Sequence, residues 1–141
     1  MGVVVDSSIF IAAERGRFDW IGFHSQIGSE PVFLTVITLA ELAHGVERAD
    51  TRERRETRAR FVGEVEARYP LLAFEREEAL EYARLWAELV TRGLLIGTHD
   101  QLIAAIARRH GYRVATLNAA DFNRVPGLAV LDAEGFRRAT A

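Results

Sequence analysis

Val3-Val4-Val5-Asp6-Ser7-Ser8-Ile9-Phe10-Ile11-Ala12 opens the chain, and its reading decides the fold. Three β-branched residues in a row suit a parallel strand buried on both faces, where no polar alternation is needed. Asp6-Ser7-Ser8 breaks that run, and Ile9 to Glu14 then begin a helix. A strand that feeds straight into a helix is the first half of a strand–helix–strand unit, from which parallel sheets are built.

The same alternation continues outward. Phe18 to Ile27 predicts a second helix, and Pro31-Val-Phe-Leu-Thr35 a second strand. From Thr38 the period is helical, with Leu39, Leu42, Ala43 and Val46 on one stripe. Arg48 to Arg68 is dense in Arg and Glu, with Phe61 and Val65 as an apolar i, i+4 pair, which predicts an exposed helix laced with ion pairs. Pro70 stops it, and Leu71-Leu-Ala-Phe74 predicts a third strand. Glu75 to Thr91 reads as a long helix burying Ala79, Tyr82, Ala83, Trp86, Leu89 and Val90. Gly93 to Gly97 is a connection, and His99 to His110 a helix closed by Gly111. Arg113 to Leu117 is a fourth strand, Ala119 to Phe122 a helical turn, and Leu128 to Leu131 an edge strand. The expected architecture is α/β: three α/β/α layers around a parallel sheet of four to five strands, in one domain spanning residues 1–141.

Composition narrows the function classes. Hydrophobic residues make up 49%, too many for a disordered chain. There is no cysteine, so disulfides, zinc ribbons and thiol nucleophiles are excluded. All 18 cations are arginine, which removes a P-loop lysine, a Schiff base and the lysine of an aspartate-phosphorylation pocket. The net charge of −2 by itself does not point to a nucleic acid. The first residues have neither a basic region nor a long apolar stretch, and no apolar run approaches the roughly 18 residues of a membrane span. A cytoplasmic protein with no membrane contact is expected.

Position, not number, singles out four acids. Asp6 follows the first strand, Glu41 lies in the first turn after the second, Asp100 follows the Gly97-Thr98 hinge, and Asp121 follows the fourth strand. In open α/β sheets ligands sit beyond the carboxyl ends of the strands, which is where these four project. Each also fits a local role. Thr38-x-x-Glu41 and Thr98-x-x-Gln101 read as capping boxes, and Asn118 is a good N-cap with Asp121 near the helix dipole. Asp6 is the hardest to explain that way, because a carboxylate ending a buried strand needs a specific partner. Together, carboxylates within roughly 5 Å of one another would repel by about 3 kcal/mol per pair at an effective dielectric near 20. Cations or protons must relieve that repulsion. Oxygen-only donors favour Mg²⁺ or Mn²⁺, and such ions suit phosphodiester hydrolysis.

These segments resemble the PIN domains of the VapC toxin family. Val4 to Ala12 is similar to the family's opening, Thr35-Val-Ile-Thr-Leu-Ala-Glu41-Leu-Ala-His-Gly45 to its second motif, and His99-Asp100-Gln-Leu-Ile-Ala-Ala105 to its third. Ala115-Thr-Leu-Asn118-Ala-Ala-Asp121-Phe122 resembles the fourth, and Pro126-Gly-Leu-Ala-Val-Leu131 the closing strand. The resemblance spans nearly the whole chain. It implies an Mg²⁺- or Mn²⁺-dependent endoribonuclease of a VapBC toxin–antitoxin pair, with Asp6, Glu41 and Asp100 as the metal-binding and catalytic acids. It further implies an RNA substrate, a homodimer and a small VapB-like antitoxin covering the acidic groove. A water would attack phosphorus in line and the ribose 3′ oxygen would leave, giving 5′-phosphate and 3′-hydroxyl ends. The chain departs from the pattern where a fourth acid is often found: Asn118 stands there, with Asp121 three residues on. Either Asn118 or Asp121 is then the fourth metal-site residue. Ser7, Ser8 and Thr116 resemble the family's small hydroxyl residues that orient acids or substrate.

Two rival functions share the same motifs. One is a DNase or RNA-processing nuclease of this fold without an antitoxin. The other is a catalytically silent binding module, which Asn118 keeps open. Among the remaining candidates, His99 adjoins Asp100 and suits a capping or surface role better than one facing the substrate. Phe10, Phe18, Trp20 and Phe23 are expected in the core or on a dimer face. The arginines at 52, 54, 55, 58 and 60 alternate with Glu53 and Glu56, which suits a solvated or antitoxin-facing helix, or a track for RNA phosphates.

Overall fold

The fold is described from a computed structural model, over residues 1–139. β1 (Val3–Val5), β2 (Val32–Thr35), β3 (Leu71–Leu72), β4 (Arg113–Thr116) and β5 (Val130–Asp132) form one sheet in the order β3-β2-β1-β4-β5. Every pairing is parallel, with Val4 opposite Phe33 on one side and Val114 on the other. The helices are α1 (Ser7–Glu14), α2 (Trp20–Ile27), α3 (Val36–Glu47), α4 (Arg52–Arg68), α5 (Arg76–Arg92), α6 (Thr98–His110) and α7 (Ala119–Phe122).

The alternating pleat of β1 builds both layers. Val3 and Val5 point into a core with Ile9 and Phe10 of α1, Phe23 of α2, Leu42 of α3 and Val62 and Val65 of α4. Val4 points the other way, against Leu85 and Leu89 of α5, Ile103 and Ala104 of α6 and Phe122 of α7. All three valines are wholly buried. Each such side chain contributes roughly 1.5–2 kcal/mol of burial, so a charge at Val4 would leave α5 and α6 nothing to pack on. The expected three-layer α/β/α sheet is what the chain forms.

Several boundaries differ from the sequence reading, each for a local reason. Helix α3 begins at Val36 because Thr35, still extended, caps it by accepting from the Thr38 amide at 3.1 Å. Thr38 is therefore inside the helix, and the proposed Thr38/Glu41 capping box does not exist. Likewise Gly97 caps α6 without a side chain, and Gln101 donates to the Ile96 carbonyl at 2.7 Å instead of closing a box with Thr98. Helix α2 starts at Trp20 behind an Asp19 cap, and α4 at Arg52 behind Thr51. The third strand keeps only Leu71–Leu72.

Helix α5 shows the largest departure. Its buried side is Glu78, Leu85 and Leu89, while Trp86 and Val90 are 54% and 68% exposed. The helix carries apolar residues on two sides, and periodicity does not say which one faces α6. In α4, Val62 and Val65 are buried and Phe61 only partly. The aromatic quartet of the N-terminal third packs internally: Phe10 and Phe23 are fully buried, and Trp20 donates its indole N–H to the Tyr69 hydroxyl at 3.0 Å.

Candidate functional site

The sheet order reverses at β1: β2 lies on one side of it and β4 on the other. That reversal opens a crevice beyond the carboxyl ends of β1 and β4, the place where a doubly wound sheet accepts a ligand. Asp6 stands there because it terminates β1 and caps α1, so its backbone is extended while its side chain turns back over the helix start. The carboxylate is 3% exposed. Oδ1 accepts from the Ser8 amide at 3.1 Å and the Ser8 hydroxyl at 2.5 Å, and Oδ2 accepts from the Thr116 hydroxyl at 2.8 Å. Burial pushes its pKa up to about 6; the bonds from Ser8 and Thr116 pull downward, and the neighbouring Asp100 adds to the rise.

Those two hydroxyls tie β1 to β4. Ser8 Oγ accepts from the Leu117 amide at 3.0 Å, and Thr116 Oγ1 accepts from the Asn118 amide at 2.8 Å. Each therefore uses its one proton on Asp6 and its lone pairs on the β4–α7 turn. Ser7 occupies the first position of α1, outside this network.

The other acids arrive from three helices. Glu41 projects from the second turn of α3, aimed by the Thr35 cap. Its Oε1 is buried without a hydrogen-bond partner in the protein, and its Oε2 lies 3.7 Å from Nδ1 of His99. Asp100, in the first turn of α6, has its pKa raised by burial first and then by Glu41 and Asp121. The Asn118 amide group donates to Asp121 at 2.9 Å and reaches Asp100 at 3.5 Å, the outer limit of a hydrogen bond. Asn118 is thus the N-cap residue of α7 by backbone only, since its side chain bonds to acids and not to the helix amides. Asp121 also has Arg124 at 3.6 Å, a cation the sequence reading overlooked.

Asp6, Glu41, Asp100 and Asp121 therefore face one edge; Ser8, Thr116 and Asn118 link Asp6, Asp100 and Asp121, while Glu41 lies against His99. What sequence reasoning missed is the support: Thr35 as the cap that aims Glu41, and His99 in contact with Glu41. A threonine ending an apolar strand three residues before another threonine was the available signal for the first.

A hard divalent cation fits this donor set. The ligands are all oxygens, an unpartnered oxygen is turned inward on Glu41, and two carboxyls are held above the normal range, first by burial and then by neighbouring acids. Among the described residues no three acids or histidines already stand close enough to close a metal cage. Like charges without a counter-ion do stand apart.

Three of the six arginines of α4 are paired with acids. Arg52 pairs with Glu56, Arg54 with Asp50 and Arg55 with Glu47, all exposed and each worth little to stability.

Residues 3–128 match the family model of the PIN domain. The chain is 40% identical over 131 residues to the ribonuclease VapC1 of Rickettsia felis, covering 93% of this chain and 96% of that one. It is 34% identical to the tRNA(fMet)-specific endonuclease VapC of Shigella flexneri, over 92% of this chain and 96% of the relative. Among solved structures, it overlays on VapBC2 of Rickettsia felis, bound to a DNA fragment from its promoter, with a TM-score of 0.84 at 25% identity, over 93% of this chain and 98% of that one. VapBC-5 of Mycobacterium tuberculosis, a toxin–antitoxin system, gives 0.74 at 32% identity over 93% and 97%. The fold, the four motifs in order and these likenesses agree: the chain belongs to the PIN-domain family and, within it, to the VapC proteins.

Proposed function

We propose that this chain is a metal-dependent endoribonuclease, the toxin of a VapBC-type pair. The observation that carries the reading is the cluster of Asp6, Glu41 and Asp100 at the sheet edge, two of them with raised pKa values and no arginine among them. Mg²⁺ or Mn²⁺, when held there, supplies positive charge for the scissile phosphate and makes water a better nucleophile. Asp6 is the anchor: its two oxygens are fixed by Ser8 and Thr116, so the carboxylate cannot turn away. Glu41 and Asp100 provide the remaining oxygens from α3 and α6. Asp121 supplies the charge that Asn118 lacks, and the Asn118 amide keeps Asp100 and Asp121 in place. Hydrolysis adds the water oxygen to phosphorus and breaks its bond to the 3′ oxygen, which takes a proton.

The relatives named ribonucleases favour RNA over DNA, and the VapBC complexes favour a VapB-like antitoxin as the partner. The Shigella relative makes tRNA the first substrate to try. A homodimer is supported by the exposed apolar stripe of Ala83, Trp86, Ala87 and Val90 on α5. No helix of the described residues is long and apolar enough to cross a membrane, and a cytoplasmic location is in keeping with an RNA target.

The test is cleavage of a labelled tRNA and of a DNA oligonucleotide with Mn²⁺. Wild type cuts RNA, and chelator stops it. Asp6→Asn and Asp100→Asn each lose roughly 10³-fold, several kcal/mol of charge stabilisation at about 1.4 kcal/mol per decade. Asp121→Ala loses roughly tenfold, about 1.4 kcal/mol. Undiminished cleavage by both Asn variants would remove the site, and silence of the wild type on every RNA would favour the binding-module reading.

A further inference from the structure

We infer that a groove running from Glu41 along the ends of α1 and α3 to the side of α4 binds the sugar–phosphate backbone of the single-stranded RNA being cut; this rests on the nuclease reading above. The groove consists of two adjoining depressions. The inner one, of about 90 Å³, is lined by Glu14, Arg15, Glu41, His44, Arg48 and Arg58. The outer one shares Glu14, Arg15 and Arg58 and continues to Glu53, Arg54 and Thr57. One end thus opens on an acid of the proposed metal site, and a strand lying in the groove would deliver its phosphates there.

Arginine availability sets this groove apart. Eleven of the 18 arginines lie within ion-pairing distance of a carboxylate among the described residues. Arg15, Arg48 and Arg58 are among the other seven, and all three line the inner depression. Arg15 and Arg48 are the C-cap residues of α1 and α3, so each side chain starts where its helix ends, at the groove wall. Arg58 is braced by a 2.8 Å bond to the Gly45 carbonyl, which uses one N–H and leaves others of the guanidinium free. With Glu41 committed to the metal site, three guanidiniums face one carboxylate, Glu14, in the inner depression. In the outer part Glu53 is present and Arg54 already pairs with Asp50, so the phosphate-binding capacity lies in the inner part. Guanidinium matches phosphate oxygens in a planar fork, which suits a backbone of any sequence. On α4 outside the groove, Arg52 and Arg55 are occupied by neighbouring acids.

The experiment measures binding of a labelled uridine oligoribonucleotide to the full-length Asp6→Asn chain, which holds RNA without cutting it, across a salt series. Each phosphate contact on a single strand contributes about 0.7 to the slope of log affinity against log salt. Adding Arg15→Gln and Arg48→Gln together lowers that slope by about 1.4 and weakens binding severalfold. Arg52→Gln with Arg55→Gln, both paired with acids and outside the groove, leaves the slope unchanged. Arg58 is left intact because it braces Gly45, and melting temperatures confirm that each variant folds. An unchanged slope in the groove variant, or an equal loss in the control pair, overturns the inference. So does a polyglutamate peptide that binds through Arg15 and Arg48 while the RNA slope stays fixed, which assigns the groove to an acidic protein segment. If instead the Asp6→Asn chain binds no RNA and wild type cuts none, it is the nuclease reading that fails, and the two failures are told apart.

Discussion

At the seam between α5 and α6, Glu81 and Glu88 both bond to Arg108, whereas at the carboxyl edge of the sheet Asp6, Glu41 and Asp100 have no arginine within ion-pairing distance among the described residues. Burial acts against the charged form in both places, yet the outcomes are opposite. Burial would raise Glu81, but hydrogen bonds from Arg84 and Arg108 overcome it and hold that carboxyl below its ordinary range. Asp6 receives hydrogen bonds only from neutral hydroxyls and an amide, which do not overcome burial, and its pKa climbs to about 6. The chain has arginines to spare, since Arg15, Arg48 and Arg58 pair with no acid among the described residues and line the depression that Glu41 also lines. The first cluster is complete and serves packing. The second is incomplete without a cation from outside.

The comparison can be broken at either cluster, and the larger effect belongs to the edge. Asp6 has a folded pKa near 6 against an ordinary 3.8, so between those values the folded chain holds a proton the unfolded chain has released. Its contribution to stability is therefore greatest below about pH 4 and is lost as pH rises through 6, by about 3 kcal/mol in metal-free protein. Asp100 is raised too and acts in the same direction. Urea denaturation of metal-free wild type and Asp6→Asn at about pH 4 and about pH 7.5 measures this. Their stabilities should diverge at the higher pH, with the Asn variant the more stable. Equal pH profiles would mean that Asp6 is already neutralised from within.

The smaller effect is expected at the seam. Arg108 is 13% exposed and Glu81 15%, so Arg108→Ala leaves a mostly buried carboxylate without its cation. Full burial of such a pair makes its disruption cost 3–5 kcal/mol; with Glu88 at 42% exposure the expectation is about 2 kcal/mol. Glu81, held below its ordinary pKa, contributes stability that is present at neutral pH and lost as pH falls through its folded value. Denaturant titration gives the stability, and cleavage per folded molecule should not change. A variant that keeps its stability but loses cleavage would show that the two clusters are not separate.

The contrast also explains how much could be read from the sequence. The Val3–Val5 run, the strand–helix alternation and the glycine after His110 contain their own structural reasons, and the sheet and its layers follow from them. The acids of the edge were legible because all four follow strand or hinge ends, and Asp6, a carboxylate ending a buried strand, needs a specific partner. Their local alternatives held in part: Asp100 and Asp121 do sit in first helical turns, but Thr35, not Thr38, caps α3, and Asn118 turns its amide to Asp100 and Asp121. What stayed hidden depended on contacts between distant segments. Ser8 with Leu117, Thr116 with Asp6 and Arg58 with Gly45 each need the fold before they can be seen. The buried side of α5 stayed hidden for a different reason. Two apolar sides on one helix give a single periodic signal, and only the neighbour, α6, selects Leu85 and Leu89 over Trp86 and Val90.

The central claim, that the edge is a cation site left open by the fold, is tested most directly by adding Mn²⁺ to the metal-free protein near neutral pH and following the melting temperature. A ligand at a hundredfold its dissociation constant stabilises the fold by about 2.7 kcal/mol, which is several degrees for a chain of this size. Wild type should rise steadily with the logarithm of Mn²⁺ concentration, while Asp6→Asn and Asp100→Asn stay nearly flat. A parallel rise in all three chains, or none in a wild type that still cuts RNA in chelator, would contradict the account.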